Sequence, residues 1–250
     1  MKILVVNPNT SEEFNRKLEQ AAKEYALPST EVKVISPASG PKSIEGIYDE
    51  ALSVQGTLDA FIDREKEFDG FVLACYSDPL VVYAMREITT KPVLGIAEAS
   101  VHLACLLGNK FSIVTTNDRW EPLLHEAVRK YGVESRCASV RTTGLRVLDL
   151  EGEGEGAVEK AIEREALAAV KEDGAEVICL GCAGMSGFDK ALEKKLGVPV
   201  LDGFVCALKL LELFDQYGIR HSKILTYAAP ESKELTGLPS RFSKAYLKDR

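Results

Sequence analysis

Two cysteines, Cys75 and Cys182, stand 107 positions apart, and each closes an apolar run that breaks into small or polar residues. The first run is Phe71-Val72-Leu73-Ala74-Cys75-Tyr76-Ser77-Asp78-Pro79; the second is Val177-Ile178-Cys179-Leu180-Gly181-Cys182-Ala183-Gly184-Met185. A free thiol has a pKa of about 8.5, and a helix N-terminus or nearby donors lower it toward neutrality. Ser77-Asp78-Pro79 reads as an N-cap and helix start, and Ala183-Gly184 leaves backbone N–H groups accessible, so both positions are expected to favour the thiolate. A thiolate and a thiol that approach one ligand from opposite sides can invert a carbon acid. One removes a proton from one face, the other delivers a proton to the opposite face, and the roles exchange in the reverse direction.

The elements that must position these cysteines follow from the apolar patterning. Lys2 to Val6 reads as a buried strand closed by Asn7-Pro8-Asn9, after which Thr10 or Ser11 caps a helix that runs to Tyr25. Val32 to Ile35 is a second strand, with a Pro/Gly/Ser loop from Ser36 to Ser43. The pattern predicts a helix over Tyr48 to Phe68, a strand over Phe71 to Cys75, a helix from Pro79 to Ile88, a strand at Pro92 to Gly95 and a helix from Glu98 to Leu107. From Lys110 the same order returns. The strand and turn Phe111 to Asp118 repeat Ile3 to Thr10, a helix runs from Leu123 to Tyr131, a weak strand lies near Arg136 to Val140, and a further helix ends at Glu172. The strand Glu176 to Leu180 leads to Cys182, and Pro199-Val200-Leu201-Asp202 matches Pro92-Val93-Leu94-Gly95.

Three landmarks recurring at an offset of 107 to 108 positions indicate an internal duplication. The expected fold is α/β, with two pseudo-symmetric lobes, each a largely parallel four-stranded sheet flanked by helices, and the active site in the cleft between them. The first lobe is expected to comprise residues 1–97 plus a returning segment from about 205 to 250, and the second 98–204. The tail after Pro230 reads as peripheral, and Glu151 to Gly156 as a surface loop. Ligands in such sheets bind beyond the carboxyl ends of the strands, where the turns Asn7 to Thr10, Cys75 to Asp78, Thr115 to Asp118 and Cys182 to Gly184 all fall. Amides and hydroxyls of Asn7, Asn9, Thr10, Tyr76, Ser77, Thr115 and Thr116, with the backbone at Ala183 and Gly184, are the expected substrate-binding groups.

The net charge of −7 and pI near 5.2 argue against a nucleic-acid or anionic-membrane surface. No apolar run is long enough for a signal peptide or membrane span, so a cytoplasmic protein with a small-molecule substrate is expected, and assembly into a homo-oligomer stays open. Cys179-Leu180-Gly181-Cys182 lacks the second half that a zinc site requires, and Cys179 lies within the apolar run rather than at a helix start. No metal is therefore expected. Cys105, Cys137 and Cys206 read as core or partly buried, and His102, His125 and His221 as structural or surface residues. Nucleotide-binding glycine motifs are absent, so no cofactor is expected.

Taken together, Asn7-Pro8-Asn9-Thr10, Ala74 to Pro79, Gly95-Ile96-Ala97-Glu98-Ala99, Val114-Thr115-Thr116, Gly181 to Met185 and Pro199 to Gly203 resemble the aspartate/glutamate/hydantoin racemase superfamily, most closely its hydantoin/allantoin racemase branch. The likeness runs from Ile3 to about Leu213. It implies cofactor-independent two-base epimerisation with Cys75 and Cys182 as the acid/base pair. Amino-acid racemases of the superfamily usually carry Asp-Ser-Gly at the first turn and Thr-His after the second cysteine, where this chain has Asn7-Pro8-Asn9 and Ala183-Gly184. The resemblance therefore implies a cyclic ureide, a 5-substituted hydantoin or allantoin. Free aspartate or glutamate, maleate isomerase-like chemistry and a non-catalytic ureide-binding protein are the alternatives.

Overall fold

A computed structural model describes residues 1–151 and 155–246. Its first half runs β1 (Lys2–Val6), α1 (Glu12–Tyr25), β2 (Glu31–Ile35), α2 (Ile47–Ile62), β3 (Gly70–Leu73), α3 (Leu80–Ile88), β4 (Val93–Gly95) and α4 (Ile96–Leu107). The second half repeats this order as β5 (Phe111–Thr115), α5 (Trp120–Lys130), β6 (Cys137–Thr142), α6 (Glu155–Glu172), β7 (Val177–Leu180), α7 (Asp189–Leu196), β8 (Val200–Asp202) and α8 (Gly203–Tyr217). The strands form two parallel sheets of identical design, β2-β1-β3-β4 and β6-β5-β7-β8. The central strands β3 and β7 are wholly buried, which is why their sequences are unbroken apolar runs.

Local chemistry sets the helix ends. The Ser11 hydroxyl accepts the Phe14 N–H at 3.3 Å and starts α1, with Glu12 and Glu13 in its first turn. Asp202 caps α8 by accepting the Phe204 N–H at 2.8 Å, and Gly218, in the left-handed region, ends it. The long helix expected over Tyr48 to Phe68 is shorter. It stops at Ile62, and a 3₁₀ turn covers Glu65–Glu67. The Arg64 N–H tightens this end by bonding Phe61 O, and the buried Glu65 carboxylate accepts the Thr89 hydroxyl at 2.5 Å. That anchor lies 24 positions along the chain, beyond the reach of local periodicity.

Helices α4 and α8 join the halves. Following β4, α4 packs on β7 and β5 of the other sheet, while α8, following β8, packs on β3 and β4 of the first. They also pack on each other, so one apolar core runs from Ile3 and Val72 through Phe204 to Ile113 and Cys179. Their first residues, Ile96 and Gly203, correspond at the repeat offset and touch. A Cβ on Gly203 would lie 2.8 Å from the Ile96 carbonyl oxygen, a contact between equivalents of the kind that arises at a pseudo-two-fold axis. Beyond α8, the chain straps the first half. Val93 N–H donates to His221 Nε2 at 2.8 Å, Lys223 Nζ caps α3 by donating to the carbonyls of Arg86 and Glu87, and Arg241 pairs with Asp59. The loop expected over 151–156 falls partly on residues 152–154, outside the described residues, and α6 is assigned from Glu155. No helix among the described residues is long and apolar enough to cross a membrane.

Candidate active site

Beyond the carboxyl ends of β3 and β7 lies an open-mouthed cleft. Cys75 and Cys182 both line it, one delivered by each sheet. The two deliveries are alike: Ala74 N–H bonds Val6 O at 2.9 Å in the first sheet, and Gly181 N–H bonds Val114 O at 2.7 Å in the second.

The second delivery is the tighter. A Cβ on Gly181 would meet Ile113 Cγ2 and Thr115 Cβ at 2.8 Å and Val114 O at 2.9 Å. Gly181→Ala is thus expected to lose about 1–3 kcal/mol of stability through overpacking between β5 and β7. Denaturant unfolding measures it, and an unchanged midpoint would show that the strands can part without cost.

The remaining residues expected at the site divide. Asn9, Tyr76, Ser77, Thr116, Ala183 and Gly184 line the cleft. Asn7, Thr10 and Thr115 stand behind or beside its wall. The Asn7 amide is fully buried and donates to Asn9 Oδ1 and Asn15 Oδ1, each at 3.0 Å. The Thr115 hydroxyl donates to Gly181 O at 2.8 Å, and that of Thr10 to Pro41 O at 3.4 Å. Their side-chain donors are committed to holding the turns. Asn9 Oδ1 also accepts the Ser11 N–H, which leaves its amide N–H₂ as the group it can offer a ligand. The Tyr76 hydroxyl bonds Ser100 Oγ at 2.8 Å, so Tyr76 backs the site through its ring.

An apolar wall, absent from the sequence reading, completes the cleft: Phe14, Ile44, Trp120 and Val147, all buried. Trp120 is the chain's single tryptophan and follows the turn after β5, a signal that could have singled it out. No charged side chain lines the cleft among the described residues.

The thiols differ from expectation. Burial pushes Cys75 up to about 11 and Cys182 up to about 12, against the expected lowering. Both residues are partly exposed to the cleft, yet the surrounding protein strips water from their sulfurs. At Cys75 the helix start expected to offset burial is also displaced. Ser77 does not cap α3; Pro79 does, without a side-chain bond, and α3 starts only at Leu80, five positions beyond Cys75. Asp78 instead takes a left-handed backbone (φ 53°) and accepts from Tyr83 and Tyr131 hydroxyls at 2.6 and 2.7 Å and from Lys130 Nζ at 2.8 Å. The Asp78 bonds tie the Cys75 loop to α5 in the second half. Local donors partly offset burial: Ser77 Oγ, 3.3 Å from Cys75 Sγ, with the Tyr76 and Ser77 N–H groups, and the Gly184 N–H at Cys182. A thiolate at Cys75 would also raise Cys182, so the pair opposes double ionisation.

Further cross-half bonds close the rim. Glu45 accepts from Asn117 Nδ2 and the Val147 N–H, each at 3.0 Å, and Lys17 Nζ donates to Leu150 O at 2.7 Å. Cys179 is buried in the core, and no group of three His, Cys, Asp or Glu among the described residues is placed to hold a metal ion.

A family model described as Asp/Glu/Hydantoin racemase matches residues 3–211. A hydantoin racemase of Pseudomonas sp. (strain NS671) is 45% identical over 245 residues, 98% of each chain. The solved allantoin racemase from Klebsiella pneumoniae has a TM-score of 0.92 at 37% identity, covering 99% of this chain and 100% of that one. An allantoin racemase from Pseudomonas fluorescens gives 0.91 at 39% identity, covering 95% and 100%.

Proposed function

This chain belongs to the Asp/Glu/hydantoin racemase family and is an isomerase, and from that premise we propose that it inverts the C5 stereocentre of a cyclic ureide, a 5-substituted hydantoin or allantoin, by proton transfer between Cys75 and Cys182. The observation that carries this reading is the arrival of two cysteines, from equivalent strands of two equivalent sheets, at one uncharged cleft.

The C5 proton of such a ring is acidified by the adjacent carbonyl. A thiolate at Cys75 removes it from one face while the Cys182 thiol protonates the other, and the opposite enantiomer reverses the assignment. Charge that develops on the ring carbonyl is met by the Asn9 amide, the Thr116 hydroxyl and backbone N–H groups near Ala183, donors held in place before the charge forms. The 5-substituent lies against Phe14, Ile44, Trp120 and Val147. Free aspartate or glutamate would bring two carboxylates into a cleft lined by no cation among the described residues, which favours the neutral ring. The lobes that carry the halves of this site divide as 1–97 with the segment from about 205, and 98–204; the crossings of α4 and α8 support that division.

Substrate class is tested by incubating each enantiomer of allantoin and of several 5-substituted hydantoins with the protein in D₂O. The expected result is loss of optical rotation with solvent deuterium at C5, for the hydantoins, allantoin or both. Fluorescence of Trp120 reports binding separately. Quenching by these compounds without racemisation of any of them would identify a binding protein and overturn the enzymatic reading.

A further inference from the structure

A two-thiol racemase ends each turnover in the protonation state opposite to the one in which it began. The thiolate has become a thiol and the thiol a thiolate. Before a second molecule of the same enantiomer can react, a proton must leave one sulfur and another must reach its partner.

Ser77 lines both the catalytic cleft and an outer depression that Glu50, Asp78, Glu126 and Lys130 also line. Its hydroxyl lies 3.3 Å from Cys75 Sγ, with either atom able to donate, and Glu50 on α2 lines the outer depression beside it, where the Ser77 hydroxyl favours the Glu50 carboxylate. The Leu80 N–H, at the start of α3, favours that carboxylate as well. A chain of exchangeable groups thus leads from the enclosed sulfur to the open depression.

We propose that Ser77 and Glu50 form the path by which Cys75 exchanges its proton with solvent between turnovers; this rests on the acid/base role proposed for the cysteines. The Cys75 S–H bond breaks as its proton passes to Ser77 Oγ, whose own proton passes to a Glu50 carboxylate oxygen. The products are a Cys75 thiolate, an intact Ser77 hydroxyl and a Glu50 carboxylic acid, which then releases its proton to water. The reverse sequence reprotonates the thiolate. Glu50 suits this task because burial pushes its carboxyl up, nearer the working pH than an exposed glutamate. Of the charges that face it, the Asp78 carboxylate pushes the same way and the Lys130 ammonium opposes it, while Glu126 on α5 shares the depression.

Exchange in the free enzyme follows product release, so it enters kcat and not kcat/KM. Initial racemisation rates of both enantiomers of 5-benzylhydantoin or allantoin, whichever is turned over, provide the test. Glu50→Gln is expected to lower kcat at least about tenfold while kcat/KM stays within about threefold, with kcat recovering as formate is added as a mobile proton carrier. Glu50→Asp, which keeps a carboxyl on a shorter arm, is expected to retain more of kcat than Glu50→Gln. Should the glutamine variant not fold, the aspartate variant carries the test through a loss in kcat alone. A merely structural role would lower kcat and kcat/KM together, and that result, or no loss in either, overturns the path. Failure of the cysteine reading is separately visible, as a Cys75→Ala enzyme that keeps its kcat/KM whatever the Glu50 variants do.

Discussion

Replacing either Cys75 or Cys182 with alanine is expected to lower kcat/KM for racemisation by at least about 10³-fold in both directions, toward the upper range for loss of a positioned acid or base. In the proposed mechanism each sulfur is the base for one enantiomer and the acid for the other, so neither direction can proceed with one alone. The fold should survive, because both side chains border the cleft rather than the packed interior and each substitution removes a single sulfur atom. Far-ultraviolet circular dichroism checks this. Isotope exchange gives the sharper readout. A variant that retains one thiol can still remove the C5 proton from the face it addresses and return deuterium to that face. In D₂O, Cys75→Ala should label one enantiomer with retention of configuration and Cys182→Ala should label the other. Full inversion by either variant would sink the two-thiol mechanism, and labelling of the same enantiomer by both would show that the sulfurs address the same face.

The second large effect is on pH dependence. With the unliganded thiols held near about 11 and 12 by burial, only about one molecule in 10⁴ carries a thiolate at pH 7. The reactive base is made by losing a proton, so kcat/KM is expected to rise about tenfold per pH unit, or about 10³-fold from pH 6 to 9. The rise should level off once the first thiol is ionised, at about 11, and turn into a fall where the second also ionises and the acid is lost. The two limbs belong to the pair, since each charge opposes the other. A profile that is flat from pH 6 to 9 would show a thiolate already formed at neutrality and refute burial as the dominant influence. The same protons bear on stability with the opposite sign. A thiol whose pKa is raised on folding binds its proton more tightly in the folded state, which stabilises the fold below the ordinary thiol value. That contribution is lost as pH rises from about 9 through about 11. Unfolding midpoints should therefore fall over the interval in which kcat/KM is still rising.

The fold and the two central residues are legible in the chain because their signals are local. Buried parallel strands must be continuous apolar runs, turns at their ends need small and polar residues, and a duplicated unit repeats both at a constant offset. Phe71 to Cys75 and Val177 to Cys182 therefore mark the strands and the paired cysteines without reference to anything distant. Other features required the folded chain. Asn7 and Thr115 have the composition of ligand-binding groups, but their donors are already committed to Asn9, Asn15 and Gly181. Phe14, Ile44, Trp120 and Val147 come from four separate segments and form a wall only when the halves meet. The thiols themselves show the division most clearly. The sequence determined which two sulfurs reach the cleft, through strand ends set by local pattern. Their protonation was decided by the tertiary structure alone, because desolvation depends on what the other half of the chain places around a sulfur, and the helix start that would have offset it begins at Leu80, five residues beyond Cys75.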